Sequence, residues 1–346
     1  HGTCAIGDVV DNNHKVLDTD NVYICDASIL PNPWPGSTSV PSGVAGLRTA
    51  KHIIENEKKT GIFEWTNKNE NSELTIKTVE KALEKWNSII NYNENIFRIK
   101  LNFTIKKLDD PLILGYAQIT KYYDIKTKTI KEYNNYNYYY DLQNYNLGEV
   151  LPSEGEVVFN QTQWEKLLLK KRDDGNSHAY YIALHELGHV LGIGPLWILN
   201  GAMLYDQKSE TFFYGGENAN NEYKKTFPNL NLQYLPLEDN GGPGTAHVHP
   251  EEGEEGDISV NDRFYNGVLH PGLNHELMTG FAENTNVPLP LSTITVGMIK
   301  DLGYDVNINN SDKYNISYNS NIKVHIDEDI KGKCGSSKTK YMFKNN

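Results

Sequence analysis

The sequence is poor in cysteine, and its cysteines are far apart. Only Cys4, Cys25 and Cys334 occur in 346 residues. An odd number of cysteines at this spacing makes no disulfide framework and contains no C-x-x-C metal motif. Disulfide-stapled scaffolds and cysteine-pair metal modules are therefore excluded.

Long apolar runs and clusters of positive charge are missing as well. No run of about 18 or more apolar residues occurs, and the first residues show no signal-peptide pattern, so the sequence predicts no membrane span. The net charge is −12 and the isoelectric point is near 5.4. A nucleic-acid partner is not expected, because binding phosphates requires a basic surface.

The composition is typical of a globular protein, with 38% hydrophobic and 23% charged residues. A chain of this length holds one large domain or two modest ones. It begins at His1 without an initiator methionine. This indicates that the sequence is the later part of a longer product, and the cellular compartment is left open.

One motif carries most of the chemistry, the H-E-x-x-H formed by His185, Glu186 and His189. Residues four apart lie on the same face of a helix, so both imidazoles can bind one metal ion, and zinc suits this geometry. Glu186 lies close enough to reach a metal-bound water and act as the general base. The flanking residues are almost all apolar, which predicts a buried helix.

A catalytic zinc that keeps one position open needs a third protein ligand. In the compact signature H-E-x-x-H-x-x-G-x-x-H, a glycine turns the chain after the helix and a third histidine follows at once. Gly192 stands at the glycine position as a helix-end turn, but Pro195 occupies the last position. The third ligand must therefore come from another part of the chain.

Periodicity predicts a helix and two strands before this motif. Apolar residues recur at steps of three and four from Thr75 to Ile90, and they alternate strictly with polar ones from Phe97 to Ile105. A further strand runs from Leu112 to Ile119. Its central glycine permits the close backbone approach of a peptide-binding edge strand, although a plain bulge explains it equally well. The residues of this candidate substrate strand are Gly115, Tyr116 and Ala117.

The first 56 residues contain HGTC-x-x-G, then VVD, a strand running into DAS, and a helix after a proline. This order resembles the C-terminal end of the glucose-methanol-choline (GMC) flavin oxidoreductases. The resemblance implies a small α/β fragment over 1–56 and an upstream flavin-binding domain of the same gene product as a partner. It also implies that Ser39 stands at an active-site position. The chain lacks the G-x-G-x-x-G that holds the flavin, so no FAD-binding residue is expected in this chain alone.

Later motifs occur in a fixed order: HELGHVLGIGPLW, GGPGT followed by histidines, HELMTGF, and PLSTITVGMIKDLGY. From about Leu112 to Val306 they resemble the leishmanolysin family of zinc endopeptidases, which are metzincins. The resemblance implies a protease domain over 74–306. Polar composition predicts a linker over 57–73 between the first fragment and this domain, and a polar tail over 307–346 after it.

The same resemblance implies the remaining site residues. The third zinc ligand would be His249, with His247 as the runner-up and His270 and His275 as further candidates. Met278 would form the Met-turn beneath the histidines, although an ordinary core methionine has the same physical character.

Acidic residues crowd the loop after His249. Charge runs are usually solvated surface, and the alternatives are a bias toward basic peptides or a calcium site. These residues are Glu251, Glu252, Glu254, Glu255 and Asp257.

Together these features predict an α+β fold, with a twisted mixed sheet and an active-site helix after the small α/β fragment. The predicted function is zinc-dependent hydrolysis of a peptide or protein substrate, with one catalytic Zn²⁺, a metal-bound water and Glu186 as base. Two alternatives stay open. The chain is the tail of a GMC-type FAD-dependent alcohol oxidoreductase, or it is a catalytically inactive structural or binding protein.

Overall fold

The residues of the computed structural model fall into two units, His1–Gly61 and Ile62–Asn346. The structure describes residues 2–19, 22–30, 32, 34–57, 61–92, 98–133, 146–197, 199–239, 242, 244–252, 263–265, 268–281, 286–314 and 333–334.

The first unit consists of turns, a 3-10 helix at Ala27–Ile29 and helix α1 at Ser39–Glu57. Its first residues run beside the 3-10 helix, where the Gly2 amide donates to the Leu30 carbonyl at 3.2 Å. Its small core contains Val10, Ile29 and Ala45. Backbone pairing in the described part of this unit is limited to isolated bridges, so the predicted α/β fragment contains a helix but no extended strand.

A mixed sheet forms the frame of the second unit. Its strands are β1 Phe63–Trp65, β2 Ile99–Lys106, β3 Ile113–Asp124, β4 Thr129–Glu132, β5 Val150–Asn160 and β11 Lys333–Cys334. Along the sheet the order is β1, β2, β5, β3 and β11, and β4 pairs with β3. The first three strands in this order are parallel, whereas β5 and β3 are antiparallel. The prediction of an α+β fold with a mixed sheet is confirmed.

The alternation seen in the sequence explains how β2 lies in this sheet. Ile99, Leu101 and Phe103 are buried, while Lys100 and Asn102 between them are exposed. Successive side chains of a strand point to opposite faces, so the apolar set faces the helices and the polar set faces solvent.

Helices cover the apolar face of the sheet, and side-chain caps define where several of them begin. Ser72, Asn160, Ser177 and Ser292 each accept a backbone N–H in the first turn of the helix that follows. Such caps satisfy donors that have no partner inside the helix. The helices are α2 Glu73–Ile89, α3 Gln161–Leu169, α4 His178–Val190, α5 Glu217–Thr226 and α6 Thr293–Asp301.

Two small sheets lie beyond α4 in the chain. Strands β6 Met203–Asp206, β7 Thr211–Tyr214 and β8 Leu235–Pro236 form one, and β9 Arg263–Tyr265 pairs with β10 Val268–His270 in the other. They belong to the long stretch between the H-E-x-x-H helix and the HELMTGF motif.

Two predicted boundaries differ from the structure. The predicted linker 57–73 contains β1, which pairs with β2, and Ile62 is only 1% exposed. The start of the predicted polar tail is also packed, because Lys85 of α2 pairs with Asp312 at 2.6 Å and Tyr314 donates to the Asn274 carbonyl at 2.9 Å. Polar composition indicated loops in both places, but contacts with distant residues order these segments.

Within the described part of the chain, no helix combines the length and the apolar character needed to cross a bilayer.

The contact between α2 and α4 generates a prediction about stability. Trp86 of α2 is fully buried, and its indole N–H donates to the Leu184 carbonyl of α4 at 2.8 Å. Trp86→Ala should reduce the free energy of unfolding by about 3–5 kcal/mol, because a large cavity would form. Urea unfolding followed by circular dichroism measures the change.

Leu169→Ala is the matched control, since Leu169 is 72% exposed at the end of α3. It should change the free energy of unfolding by no more than about 0.5 kcal/mol. Equal losses in the two variants would contradict the packing described for α2.

Candidate metal centre

Three imidazoles from two distant parts of the chain meet at one point. The Nε2 atom of His189 lies 3.0 Å from Nε2 of His185 and 2.9 Å from Nε2 of His249, and the third side of this triangle is 3.3 Å. The three rings are those of a potential metal-binding group. His189 and His249 are buried, and His185 is half-buried.

The opposite nitrogen of each ring is held by a backbone carbonyl. The Nδ1 atom of His185 donates to Leu277 at 2.7 Å. Nδ1 of His189 donates to Ile193 at 2.9 Å, and Nδ1 of His249 donates to Thr245 at 2.8 Å. A carbonyl oxygen only accepts, so the proton of each neutral imidazole lies on Nδ1 and a lone pair remains on Nε2.

Burial keeps all three imidazoles neutral. It lowers the pKa of His185 to about 4 and, aided by the neighbouring His185, that of His249 to about 3. The pKa of His189 is lowered well below 6.5, first by burial and then by His249 and His185. Neutral imidazole is the form that binds metal ions.

The donor set fits a zinc ion. Zinc–nitrogen bonds of 2.0–2.1 Å in a tetrahedral arrangement place ligand nitrogens about 3.3 Å apart, close to the observed triangle. Without a cation, three lone pairs at this separation repel one another. The three carbonyl partners are also the kind of second layer that orients metal-binding histidines.

The sequence motif explains two of the three clustered imidazoles. His185 and His189 lie one turn apart on α4, which Ser177 caps through a hydrogen bond to the Tyr180 amide at 3.1 Å. Glu186, between them in the sequence, is 1% exposed. Its carboxylate lies toward β3, because a Cβ added at Gly115 would be 3.5 Å from Oε1 of Glu186.

The turn after α4 supplies the carbonyl that hydrogen-bonds to His189, and it contacts the segment that contains His249. Gly192 has φ +113°, a conformation that favours glycine, and the reversed chain returns the Ile193 carbonyl to His189. Two residues later, a Cβ on Gly194 would lie 2.3 Å from the Val248 carbonyl oxygen. This close approach, which needs glycine, holds the segment containing His249 against the end of the helix.

Met278 packs against α4 at Gly188, which stands between His185 and His189 in the sequence. It is fully buried, and its Sδ atom is 2.7 Å from the position that a Cβ on Gly188 would occupy. The side chain therefore packs directly on the backbone of α4, and its assignment as a Met-turn residue stays a prediction.

The other candidate histidines lie outside the triangle. His247 has φ +67°, so the segment is not extended there, and its ring packs 4.3 Å from that of Phe212 instead of sharing a face with His249. His270 accepts from the Gln233 amide at 3.2 Å and donates to the Val268 carbonyl at 2.9 Å. His275 has φ +63° and is not a member of the histidine group that could hold a metal ion in the described part of the chain.

Strand β3 lies beside Glu186, but part of its outer edge is occupied. β11 pairs with it in parallel, with Cys334 opposite Gly115. β4 pairs with its other end, from Lys121 to Asp124. Tyr116 and Ala117 lie between these two pairings. Among the described residues, no strand pairs with them on this outer side.

The acidic loop differs from the prediction of a solvated face. Glu251 is 2% exposed and Glu252 is 8% exposed, and the Glu252 carboxylate accepts from the Phe281 amide at 3.1 Å. Carboxylate oxygens of Glu238, Asp239 and Glu251 lie within 4.8 Å of one another. Glu254, Glu255 and Asp257 lie outside the described residues.

Similarity to known proteins is found in the N-terminal part of the chain. The C-terminal family model described as "GMC oxidoreductase" matches residues 1–46. The first 46 residues are therefore similar to GMC oxidoreductases.

A curated relative shows a similarity of limited extent. The Drosophila melanogaster protein named "Neither inactivation nor afterpotential protein G" is 38% identical over 60 residues, which are 17% of this chain and 10% of that protein. The chain thus spans about a tenth of the length of the curated relative it matches. The family match ends before the second unit begins, so it does not bear on the metal centre.

Sequence reasoning missed the groups that orient the imidazoles. The carbonyls of Ile193, Thr245 and Leu277 have no side-chain signature, because every residue carries a carbonyl. A partial signal existed in Gly194, which follows Gly192 by two residues and marks a second tight backbone approach.

The lowered pKa values generate a prediction about acid stability. Below pH 6.5 the unfolded chain takes up protons on its histidines, whereas the folded His185 does so only near pH 4. The stability present above pH 6.5 should therefore be lost as the pH falls toward 4. Urea unfolding of the metal-free chain at a series of pH values measures this loss.

The control is His249→Ala, which removes one of the interacting imidazoles. The variant should lose less stability over the same pH range than the unchanged chain. Identical pH dependence in the two proteins would show that the cluster does not resist protonation.

Proposed function

We propose that this chain is a zinc-dependent endopeptidase, with His185, His189 and His249 as metal ligands and Glu186 as the general base. The proposal depends on one observation above all. Three Nε2 lone pairs converge within 3.3 Å, and each ring has its other nitrogen committed to a carbonyl. Such an arrangement calls for a cation.

A zinc ion bound there supplies Lewis acidity, which lowers the pKa of water toward about 7 and polarises a scissile carbonyl. The ligand count supports a catalytic role, since three protein ligands leave one position open, whereas structural sites are closed by four.

Glu186 is placed to move the proton. As the residue after His185, it comes from the same turn of α4 as the ligand and lies beside β3. Its carboxylate can take a proton from the attacking water and deliver it to the leaving amine. Burial of the side chain keeps bulk water from competing for this proton.

The outer edge of β3 is the proposed binding place for the substrate. An extended peptide can add to a sheet edge through main-chain hydrogen bonds. Tyr116 and Ala117 lie next to Gly115, where an added Cβ would be 3.5 Å from Oε1 of Glu186. A peptide paired there would therefore present a bond near the imidazole cluster.

The sequence resemblance to leishmanolysin-type enzymes supports the same proposal. The positions of His249 and Met278 were expected from that resemblance, and both lie against α4. Strand β3, which pairs antiparallel with β5, lies beside Glu186 of the H-E-x-x-H helix, and this supports the proposed use of its unpaired stretch by a substrate.

Metal analysis tests the ligand set. The purified chain should contain about one zinc ion per molecule, and His249→Ala should contain much less, because a site with two ligands binds far more weakly. His247→Ala is the control, since His247 packs on Phe212, and it should keep the metal.

Two results would contradict this ligand set. One is a ratio near zero in folded protein that has never met a chelator. The other is a ratio that is unchanged in His249→Ala but falls in His247→Ala.

Glu186→Gln tests the general base. It should lower the hydrolysis of a peptide library, read by mass spectrometry, by at least about 100-fold, because the amide cannot accept the proton. The zinc content should stay the same. Glu165→Gln, on the exposed side of α3, should leave hydrolysis unchanged. Full activity in Glu186→Gln would remove that residue from the mechanism, and an inactive unchanged chain would favour a binding protein.

The match of residues 1–46 supports a second candidate, the C-terminal part of a GMC-type FAD-dependent alcohol oxidoreductase. In that case an upstream domain would supply the flavin-binding fold. Ser39 lies at the start of α1, where its hydroxyl contacts that of Ser37 at 3.1 Å. Flavin absorbance that copurifies with the full-length product, together with alcohol oxidation, would favour this candidate over the peptidase.

A further inference from the structure

A buried carboxylate lies beside the metal centre without belonging to the ligand set. Glu276 is 1% exposed. Its Oε1 atom accepts from the Ser292 amide at 3.0 Å, the Ser292 hydroxyl at 2.7 Å and the Thr295 hydroxyl at 2.6 Å. Its Oε2 atom accepts from the Met278 amide at 2.6 Å. Four donors thus compensate the loss of hydration of this carboxylate.

The donors belong to two different structural features. Ser292 is the cap of α6, and Thr295 is in its first turn, where the helix dipole favours negative charge. Met278 belongs to the turn beneath α4. Glu276 therefore fastens this turn to the start of α6.

In the sequence, Leu277 stands between Glu276 and Met278, the residue whose amide donates to the Glu276 carboxylate. Its carbonyl accepts the Nδ1 proton of His185 at 2.7 Å, and its amide donates to the Pro290 carbonyl at 3.0 Å. The Met278 N–H and the Leu277 carbonyl belong to the same peptide group, and the N–H donates to Glu276. Rotation of that peptide would break the Glu276 contact or the His185 contact.

We propose that Glu276 is a positioning residue of the metal centre, which holds the Leu277 carbonyl in the orientation that presents Nε2 of His185 to the metal. The inference rests on the proposed metal centre and adds a residue to it. Glu276 acts through Leu277 and touches neither the metal nor the substrate. Residues that orient a metal ligand without touching the metal affect metal affinity, because the orientation of the imidazole decides how well its lone pair points at the ion.

A simple structural role is the competing explanation, and Asp301 allows the two to be separated. Asp301 is 8% exposed and accepts from the Asn218 amide at 2.9 Å, the Asn218 side-chain amide at 2.7 Å and the Ala219 amide at 3.1 Å. Asp301 connects α5 to α6 through these three hydrogen bonds. None of the three involves the turn at Met278 or one of the three histidines. Asp301→Asn is therefore a matched control for Glu276→Gln.

The experiment measures Co²⁺ and Zn²⁺ dissociation constants and urea unfolding for the full chain and both variants. Each substitution replaces an accepting oxygen by a donating amide, so both variants should be less stable. Only Glu276→Gln should raise the metal dissociation constant, by about 10- to 100-fold, and alter the visible spectrum of bound Co²⁺. Unchanged affinity and spectrum in Glu276→Gln, or equal weakening in Asp301→Asn, would overturn the inference.

Thr295→Val provides a milder variant if Glu276→Gln does not fold. It removes one donor to Oε1 at nearly constant volume and should weaken metal binding several-fold in the same direction. Unaltered metal affinity in Thr295→Val would then overturn the inference.

Metal affinity is read without any substrate, which separates this inference from the proposed activity. If the chain binds metal tightly but hydrolyses no peptide, the proposed peptidase activity is refuted, while the metal affinities of the variants still test the role of Glu276. A chain that binds no metal would refute both.

Discussion

The centre of the second unit is a cluster of three neutral imidazoles whose Nε2 lone pairs meet at one point and repel one another. The lone pairs meet there because the Nδ1–H of each ring donates a hydrogen bond to a carbonyl on its opposite side. Burial removes the water that would otherwise separate them, and it disfavours the protonated forms. The protein can sustain this arrangement because the carbonyls belong to three separate segments, each fixed by its own contacts.

Those segments converge on α4 from distant parts of the chain. The Ile193 carbonyl returns through the turn at Gly192, the Thr245 segment approaches where Gly194 admits Val248, and the Leu277 carbonyl rests on the turn around Met278. The sheet behind α4 and the buried Trp86 hold the helix itself in place. A centre built in this way depends on the fold as a whole, because no two of its three carbonyls are close in the sequence.

The first unit has its own small core and its own similarity, to GMC oxidoreductases over residues 1–46. The chemistry argued for the second unit uses no residue of the first. Each unit can therefore be assigned and tested separately, and the oxidoreductase similarity of the first unit does not weigh against the metal centre proposed for the second.

Local patterns in the sequence predicted a good part of the outcome. The spacing of His185 and His189 places them on one face of a helix, because the period of a helix is a local property of the backbone. The alternation around Leu101 likewise indicated a half-buried strand, and Gly192 indicated a turn at the end of α4. The resemblance to a known family directed attention to His249 and Met278.

Other features were decided only by the tertiary structure. Nothing in the neighbouring residues distinguishes His247 from His249, whereas the positive φ of His247 turns its ring toward Phe212. The burial of Glu251 and Glu252, the strand inside the predicted linker and the role of the Leu277 carbonyl all arise from partners far away in the sequence. Sequence by itself determined which side chains could share a helix face or a strand face, since those periods act over a few residues. The tertiary structure decided which of them meet, because burial and hydrogen-bond partners are set by segments that only the folded chain brings together.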